Sequence, residues 1–288
     1  MRRRRVLEGA GAVLATAGLG ACVPPPARGQ AEGGEGAGEA QAVAMATVLE
    51  RFAARPTTDG AGATLRRVFP HPQLRNLDPF VLLDDFDVRR PAGFPTHPHR
   101  GFEAFTYMIA GAFHHKDSMG NDSVIGPGGT QRFTSGRGAR HSEMPATDGS
   151  NRGLQLWVNL PRRLKKMAPS YAGIDGASMP APVEGAGHVL REVVGSRSPV
   201  ELQTEVQYFD VDLLADARFD HAIPSGHNAL IYVLDGEVEL LGERLGEGEV
   251  LLPTPGRVQI AARSASRILW LSGAPHGEAI VHRGPFVD

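Results

Sequence analysis

From about residue 47 onward the chain alternates short apolar runs with clusters of Gly, Pro, Asp and Asn. Sustained spacing of three to four residues, the mark of amphipathic helices, is missing. Runs of this length bounded by turn residues predict β-strands. Phe80 to Phe86, Phe102 to Ile109 and Leu154 to Leu160 read as strands of a first half. Ala229 to Leu234 turns at Asp235-Gly236 into Glu237 to Leu240, and Asp-Gly between two such runs is a hairpin signal. Val250 to Pro253 and Ile268 to Leu271 supply further strands of the second half. Strands recurring at roughly ten-residue intervals in both halves predict an all-β chain of two tandem, related barrels or jelly rolls. The boundaries expected are 47–176 for the first barrel, 177–187 for a Gly- and Pro-bearing linker and 188–288 for the second.

Composition supports this reading. Among 288 residues, 36 Gly and 22 Pro suit a fold with many tight turns. The first 46 residues belong to something else. Arg2 to Arg5 precede an apolar, Ala/Gly-rich stretch from Val6 to Ala21, broken only by Glu8 and Thr16. A basic head and a short apolar segment predict a bacterial export signal over 1–21, too short for an ordinary membrane span. The paired arginines resemble a twin-arginine signal. Leu19-Gly20-Ala21-Cys22 looks like a lipobox, so Cys22 is expected to carry lipid and anchor a periplasmic or cell-envelope lipoprotein to the membrane. Cys22 is the sole cysteine, which excludes an intramolecular disulfide. Residues 22–46, rich in Pro, Gly, Ala, Glu and Gln, read as a flexible tether.

Without residues 1–21 the chain has 26 basic and 31 acidic side chains. The cluster Arg162, Arg163, Lys165 and Lys166 reads as a solvated face. No basic stripe remains for nucleic acid, which is excluded as a partner. A monomer is expected.

Chemistry concentrates in two short strings, His97-Pro98-His99 and His141-Ser142-Glu143. On a strand, residues two apart point to one face. Two strands meeting across a small barrel would gather three imidazoles and a carboxylate around one ion. That donor set suits a divalent first-row metal: Fe(II), Mn, Ni, Cu or Zn. A site that must also admit substrate weighs mildly against tetrahedral zinc.

The strings HPHRGFEAFTYMIAG, FHHKDSMGNDSVIGPGG, TSGRGARHSEMP, GLQLWVNLP, GHNALIYVLDGEV and the terminal GPFV resemble the pirin family in series and spacing. The resemblance covers roughly 60–288. It implies two cupin barrels, the first holding one iron through His97, His99, His141 and Glu143. It implies oxygen-dependent cleavage of a flavonol, of the quercetin 2,3-dioxygenase type, with a polyphenol-like substrate and dioxygen as partners. Some members act instead as non-enzymatic, redox-responsive interaction proteins. His282-Arg283 departs from the family, which often carries bulky aromatic residues before GPFV.

Glu103 shares the parity of His97 and His99 when the count is carried through, and in many cupins the glutamate at that place is the carboxylate ligand. The resemblance gives that role to Glu143, with proton acceptance as a catalytic role. Glu103 is left as a supporting carboxylate or a second catalytic base beside the ion. His114 and His115 read as surface or turn-proximal residues. His221, His227 and His276 have no partner at ligand spacing, so the second barrel is expected to be free of metal. Gly126 to Gly129 is a turn rather than a phosphate cradle, since no helix pattern follows it.

Overall fold

The computed structural model describes residues 43–288. The expected export signal, Cys22 and the tether as far as residue 42 lie outside the described residues. Within them the protein is all-β, a cupin-like pair of β-sandwiches with only two short 3-10 turns, Arg162–Leu164 and Gly176–Ser178. No helix of the described residues is long and apolar enough to cross a membrane.

Each sandwich sets a seven-stranded antiparallel sheet against a four-stranded one. In the first, strands Phe80–Val88, Phe102–Met108, Thr130–Thr134 and Asn151–Asn159 form the middle of the large sheet. Its small sheet runs in the order Phe94–His99, Ala139–Pro145, Phe113–Asp117 and Asp122–Ile125. In the second, Asn228–Asp235, Ser266–Gly273 and Val206–Leu213 are central.

The unbroken apolar runs have a physical cause: the two large sheets pack against each other, so their central strands are covered on both faces. Every residue of Phe102–Met108 is buried. In Asn228–Asp235, Leu230, Tyr232 and Leu234 join the core between the sandwiches, whereas Ala229, Ile231 and Val233 fill the interior of the second. A strand wetted on one side would alternate instead.

The chain ends cross over. Val48–Ala53, expected in the first barrel, pairs with Glu249–Pro253 of the second. Phe52 is buried in the shared core, and Arg51 reaches Glu243 and Glu249 at 3.0 and 2.8 Å, which holds the strand on that edge. Ala46, at the end of the expected tether, is also buried against the second barrel, and Met45 bridges to Arg257. Val183–Gly185, within the expected linker, pairs with His188–Val194 and extends the second large sheet. At the other end, Val287 inserts beside Val81, Phe102 and Phe133 of the first sandwich. That crossing explains Gly101: its φ is +88°, and a Cβ there would sit 1.8 Å from the Val287 carbonyl oxygen.

Candidate metal centre

The site is built on two strands of the small sheet. Phe94–His99 pairs antiparallel with Ala139–Pro145, with His141 opposite His97. Facing residues of such a pair share a side, and His99 lies two positions along on the same side. All three imidazoles therefore turn inward. His97 Nε2 is 2.9 Å from His99 Nε2 and 3.1 Å from His141 Nε2. After His141 the register slips, so that Glu143 lies opposite Phe94. Pro95 and Pro98 on the partner strand offer no N–H to the ladder, which is where irregular pairing is tolerated.

Aromatic walls fix the rings. His141 stacks on Phe133 at 4.3 Å, and His99 stands edge-on to Trp157 at 4.9 Å. His97 Nδ1 meets the Pro95 carbonyl at 2.8 Å, and His99 Nδ1 meets the Pro285 carbonyl at 3.3 Å. A carbonyl only accepts, so both rings carry their proton on Nδ1 and turn a bare Nε2 lone pair toward the centre. Burial, with His97 nearby, pushes His99 down to about 3. Burial and the neighbouring imidazoles hold His141 well below the usual histidine range. Both are therefore neutral, the form that binds metal.

Bare lone pairs at such separations repel unless a cation lies between them. Nitrogens around an ion at right angles, with bonds of about 2.1 Å, stand about 3.0 Å apart. The donor set and its spacings fit a metal ion.

Glu143 stands one step out. Its Oε2 is 3.9 Å from His141 Nε2. Its Oε1 accepts from Thr106 Oγ1 at 2.9 Å and from Gln131 Nε2. Thr106 Oγ1 is also 2.5 Å from Gln155 Oε1. One hydroxyl proton cannot serve both oxygens, so the Gln155 amide is better turned to donate, leaving the Thr106 proton to Glu143.

Glu103 does not join them. It lies on the opposite face of its strand, where its Oε1 accepts from Thr134 Oγ1 at 2.8 Å and its Oε2 from the Gln203 backbone N–H at 2.7 Å. Burial raises its pKa. Parity was lost at the Arg100-Gly101 turn, so counting through it misplaced the side chain; Glu103 ties the first sandwich to the segment leading into the second. His115 also differs from expectation. It is fully buried, bonded to Asp117 at 3.2 Å and stacked on Tyr171 at 4.1 Å. His114 is the outward neighbour, paired with Asp122 at 2.5 Å.

His97, His99 and Glu143 open onto a cavity of about 720 Å³ that is also lined by Phe94, Trp157 and His282. This is the size of a small-molecule site. Arg67 and Asp84 form part of its wall through paired bonds of 2.8 and 2.7 Å. Sequence reasoning missed Thr106, Gln131 and Gln155. Thr106 and Gln155 each stand between apolar neighbours, Phe105 and Tyr107 or Leu154 and Leu156, whereas Gln131 in the polar strand Thr130–Thr134 gave no such signal.

The Pirin family model matches residues 62–158, and the model described as Pirin C-terminal cupin domain matches 208–288. A Pseudomonas aeruginosa protein named Putative quercetin 2,3-dioxygenase is 40% identical over 259 residues, 83% of this chain and 90% of that protein. A Caulobacter vibrioides pirin-like protein is 39% identical over 252 residues, 83% of this chain and 91% of its own. Among solved structures, a quercetin 2,3-dioxygenase of Acinetobacter baumannii superposes with a TM-score of 0.78 at 28% identity, covering 85% of this chain and 92% of that one. With both domains matched in order and relatives aligned over most of their length, the chain belongs to the pirin family.

Proposed function

We propose that the protein is a metal-dependent dioxygenase of the quercetin 2,3-dioxygenase type. In this reading His97, His99, His141 and Glu143 hold one divalent ion, iron(II), and the substrate is a flavonol or another catechol-like phenol. The observation that carries it is the convergence of three imidazole Nε2 atoms at the wall of an aromatic-lined cavity. The names of the Pseudomonas and Acinetobacter proteins support the reaction class.

When bound, the ion supplies a Lewis acid and a meeting place for dioxygen. Three neutral imidazoles and one carboxylate around a dication leave a net charge of +1, which favours an ionised enol or catechol oxygen. Glu143 also lines the cavity, within reach of a bound phenol whose hydroxyl proton it can take. Trp157 and Phe94 offer flat apolar surface to a planar ring.

The test is anaerobic loading of stripped protein with iron(II), then quercetin with and without oxygen. Loss of the flavonol absorbance with stoichiometric oxygen uptake is the expected result. Unchanged spectra with metal bound favour the non-enzymatic, redox-responsive role.

A further inference from the structure

Glu143 is held from one side only. Both of its donors, Thr106 Oγ1 and Gln131 Nε2, reach Oε1. Oε2 takes no hydrogen bond from the described residues and faces His141. This arrangement depends on which way the Gln131 amide points. Turned end for end, Gln131 would set its own carbonyl oxygen against the carboxylate, acceptor against acceptor.

Gln131 Nε2 also reaches Thr106 Oγ1 at 3.3 Å, and a further restraint on that turn lies on the far side of the amide. The Tyr171 hydroxyl donates to Gln131 Oε1 at 3.3 Å, and Ser123 Oγ is 2.5 Å from the same hydroxyl. A phenol has one proton. With it directed at Gln131, Ser123 must be the donor to Tyr171. Donation then runs from Ser123 to Tyr171, to Gln131, to Glu143, each hydrogen used once. Gln131 is 1% exposed, so no solvent replaces a lost partner. The Tyr171 ring is clamped against His115, itself bonded to Asp117. Burial pushes the phenol up to about 12, so it stays a donor across the neutral range.

We propose that Tyr171 is a positioning residue of the metal centre, fixing the Gln131 amide so that Glu143 is bonded through Oε1 and presents Oε2 alone. The inference rests on the metal reading above and adds a residue to it. A carboxylate that offers one oxygen occupies one position on the ion and leaves others for substrate and dioxygen. Without the Tyr171 hydroxyl the Gln131 carbonyl oxygen is left buried and unpaired, only the donation of its amide to Glu143 and, at 3.3 Å, to Thr106 still opposes the turn, and the hold on Glu143 loosens.

Cobalt(II) is a suitable probe, because its visible d–d absorption changes with the number and arrangement of ligands. Full-length protein is stripped with a chelator and titrated with cobalt(II) under nitrogen. Tyr171→Phe is expected to weaken cobalt binding about tenfold, as removal of such outer support typically does, and to alter the absorption band. Ser123→Ala leaves the Tyr171 proton on Gln131 and is expected to match wild type in both readouts. Gln131→Leu removes the same link one step closer and reproduces the Tyr171→Phe band; it serves in place of Tyr171→Phe if that variant does not fold. Wild-type affinity and band in Tyr171→Phe overturn the proposal. So does an equal loss in Ser123→Ala, since the effect would then belong to packing rather than donor order. The underlying metal reading fails separately: wild type would bind no cobalt, or His141→Ala would bind it as tightly as wild type.

Discussion

The ring of His99 rests with its Nδ1 3.3 Å from the carbonyl oxygen of Pro285, a residue 186 positions away. The orientation of a candidate ligand in the first sandwich therefore depends on the last turn of the chain, which arrives from the second. Around this contact Arg100 pairs with Asp288 at 2.9 Å, and Lys165 Nζ bonds the Val287 carbonyl at 2.9 Å. The second barrel thus delivers a segment that borders the site in the first.

Loosening that segment should disturb both stability and metal. Val287 is fully buried, so Val287→Ala is expected to cost about 2 kcal/mol in urea denaturation, from lost burial and the cavity left behind. Gly101→Ala, which drives a methyl into the Val287 carbonyl, should displace the tail and lower metal affinity about tenfold through His99. Wild-type metal affinity in a folded Gly101→Ala protein would show that the tail does not orient the ring.

How far the sequence reveals this site depends on whether a local rule reaches each residue. His97 with His99, and His141 with Glu143, were legible because each pair sits on one strand, where period two applies. Glu103 was not, because Gly101 with its positive φ breaks the strand between them. His115 reads as polar and exposed in a five-residue strand, yet it turns inward onto Tyr171. The crossing of Val48–Ala53 and Val287 was hidden for another reason: an apolar strand does not state which sheet edge it will join. The hairpin at Asp235-Gly236 and the buried runs were plain, since turn chemistry and two-sided burial are local properties.

The proposed ligand set has a direct test in metal content by elemental analysis. His141→Ala is expected to lose metal affinity by tens-fold or more, because it removes a ligand rather than a supporting group. Glu103→Gln should retain metal, since Glu103 bonds Thr134 and Gln203 on the other face. Full occupancy in a His97/His99 double alanine variant would defeat the assignment.

Acid should destabilise the metal-free protein. His99 titrates near 3 in the fold rather than near its ordinary 6.5, and His141 is also held far down. Below pH 6.5 the unfolded chain takes up protons that these folded residues refuse, so stability is present above that pH and is lost as pH falls. Both histidines act in the same direction across that window, His99 and His141 each costing the fold stability as pH falls. Urea midpoints measured from pH 7 to pH 5 should fall, and His141→Phe should reduce the slope. A flat profile would place the imidazoles in contact with water.

Export is a proposal carried by Cys22 and the arginines before it. Dual acylation at Cys22 would anchor the protein stably, where a single chain gives only marginal binding. A fatty-acid probe fed to cells should label wild type and not Cys22→Ser. Equal recovery of both in the soluble extracytoplasmic fraction would instead support a freely secreted protein.

Arg67 and Asp84 give the cavity wall its sharpest energetic dependence. The guanidinium binds Asp84 in fork geometry at 2.8 and 2.7 Å and also reaches Asp59 at 2.8 Å, with side-chain exposure of 20% for Arg67 and 7% for Asp84. Removing Arg67 leaves the Asp84 carboxyl, which burial already pushes up to about 6, buried and unpaired, a cost of about 3 kcal/mol or more. Arg67→Ala should therefore lower the urea midpoint sharply. Arg67→Lys should recover only part of the loss, because an ammonium cannot span both carboxylate oxygens of Asp84 as the planar fork does. The double variant Arg67→Leu with Asp84→Leu removes both charges and should be more stable than Arg67→Ala alone. If Arg67→Ala and the double variant unfold at the same urea concentration, the unpaired carboxylate is not what destabilises the wall, and lost packing of the arginine stem would be the cause.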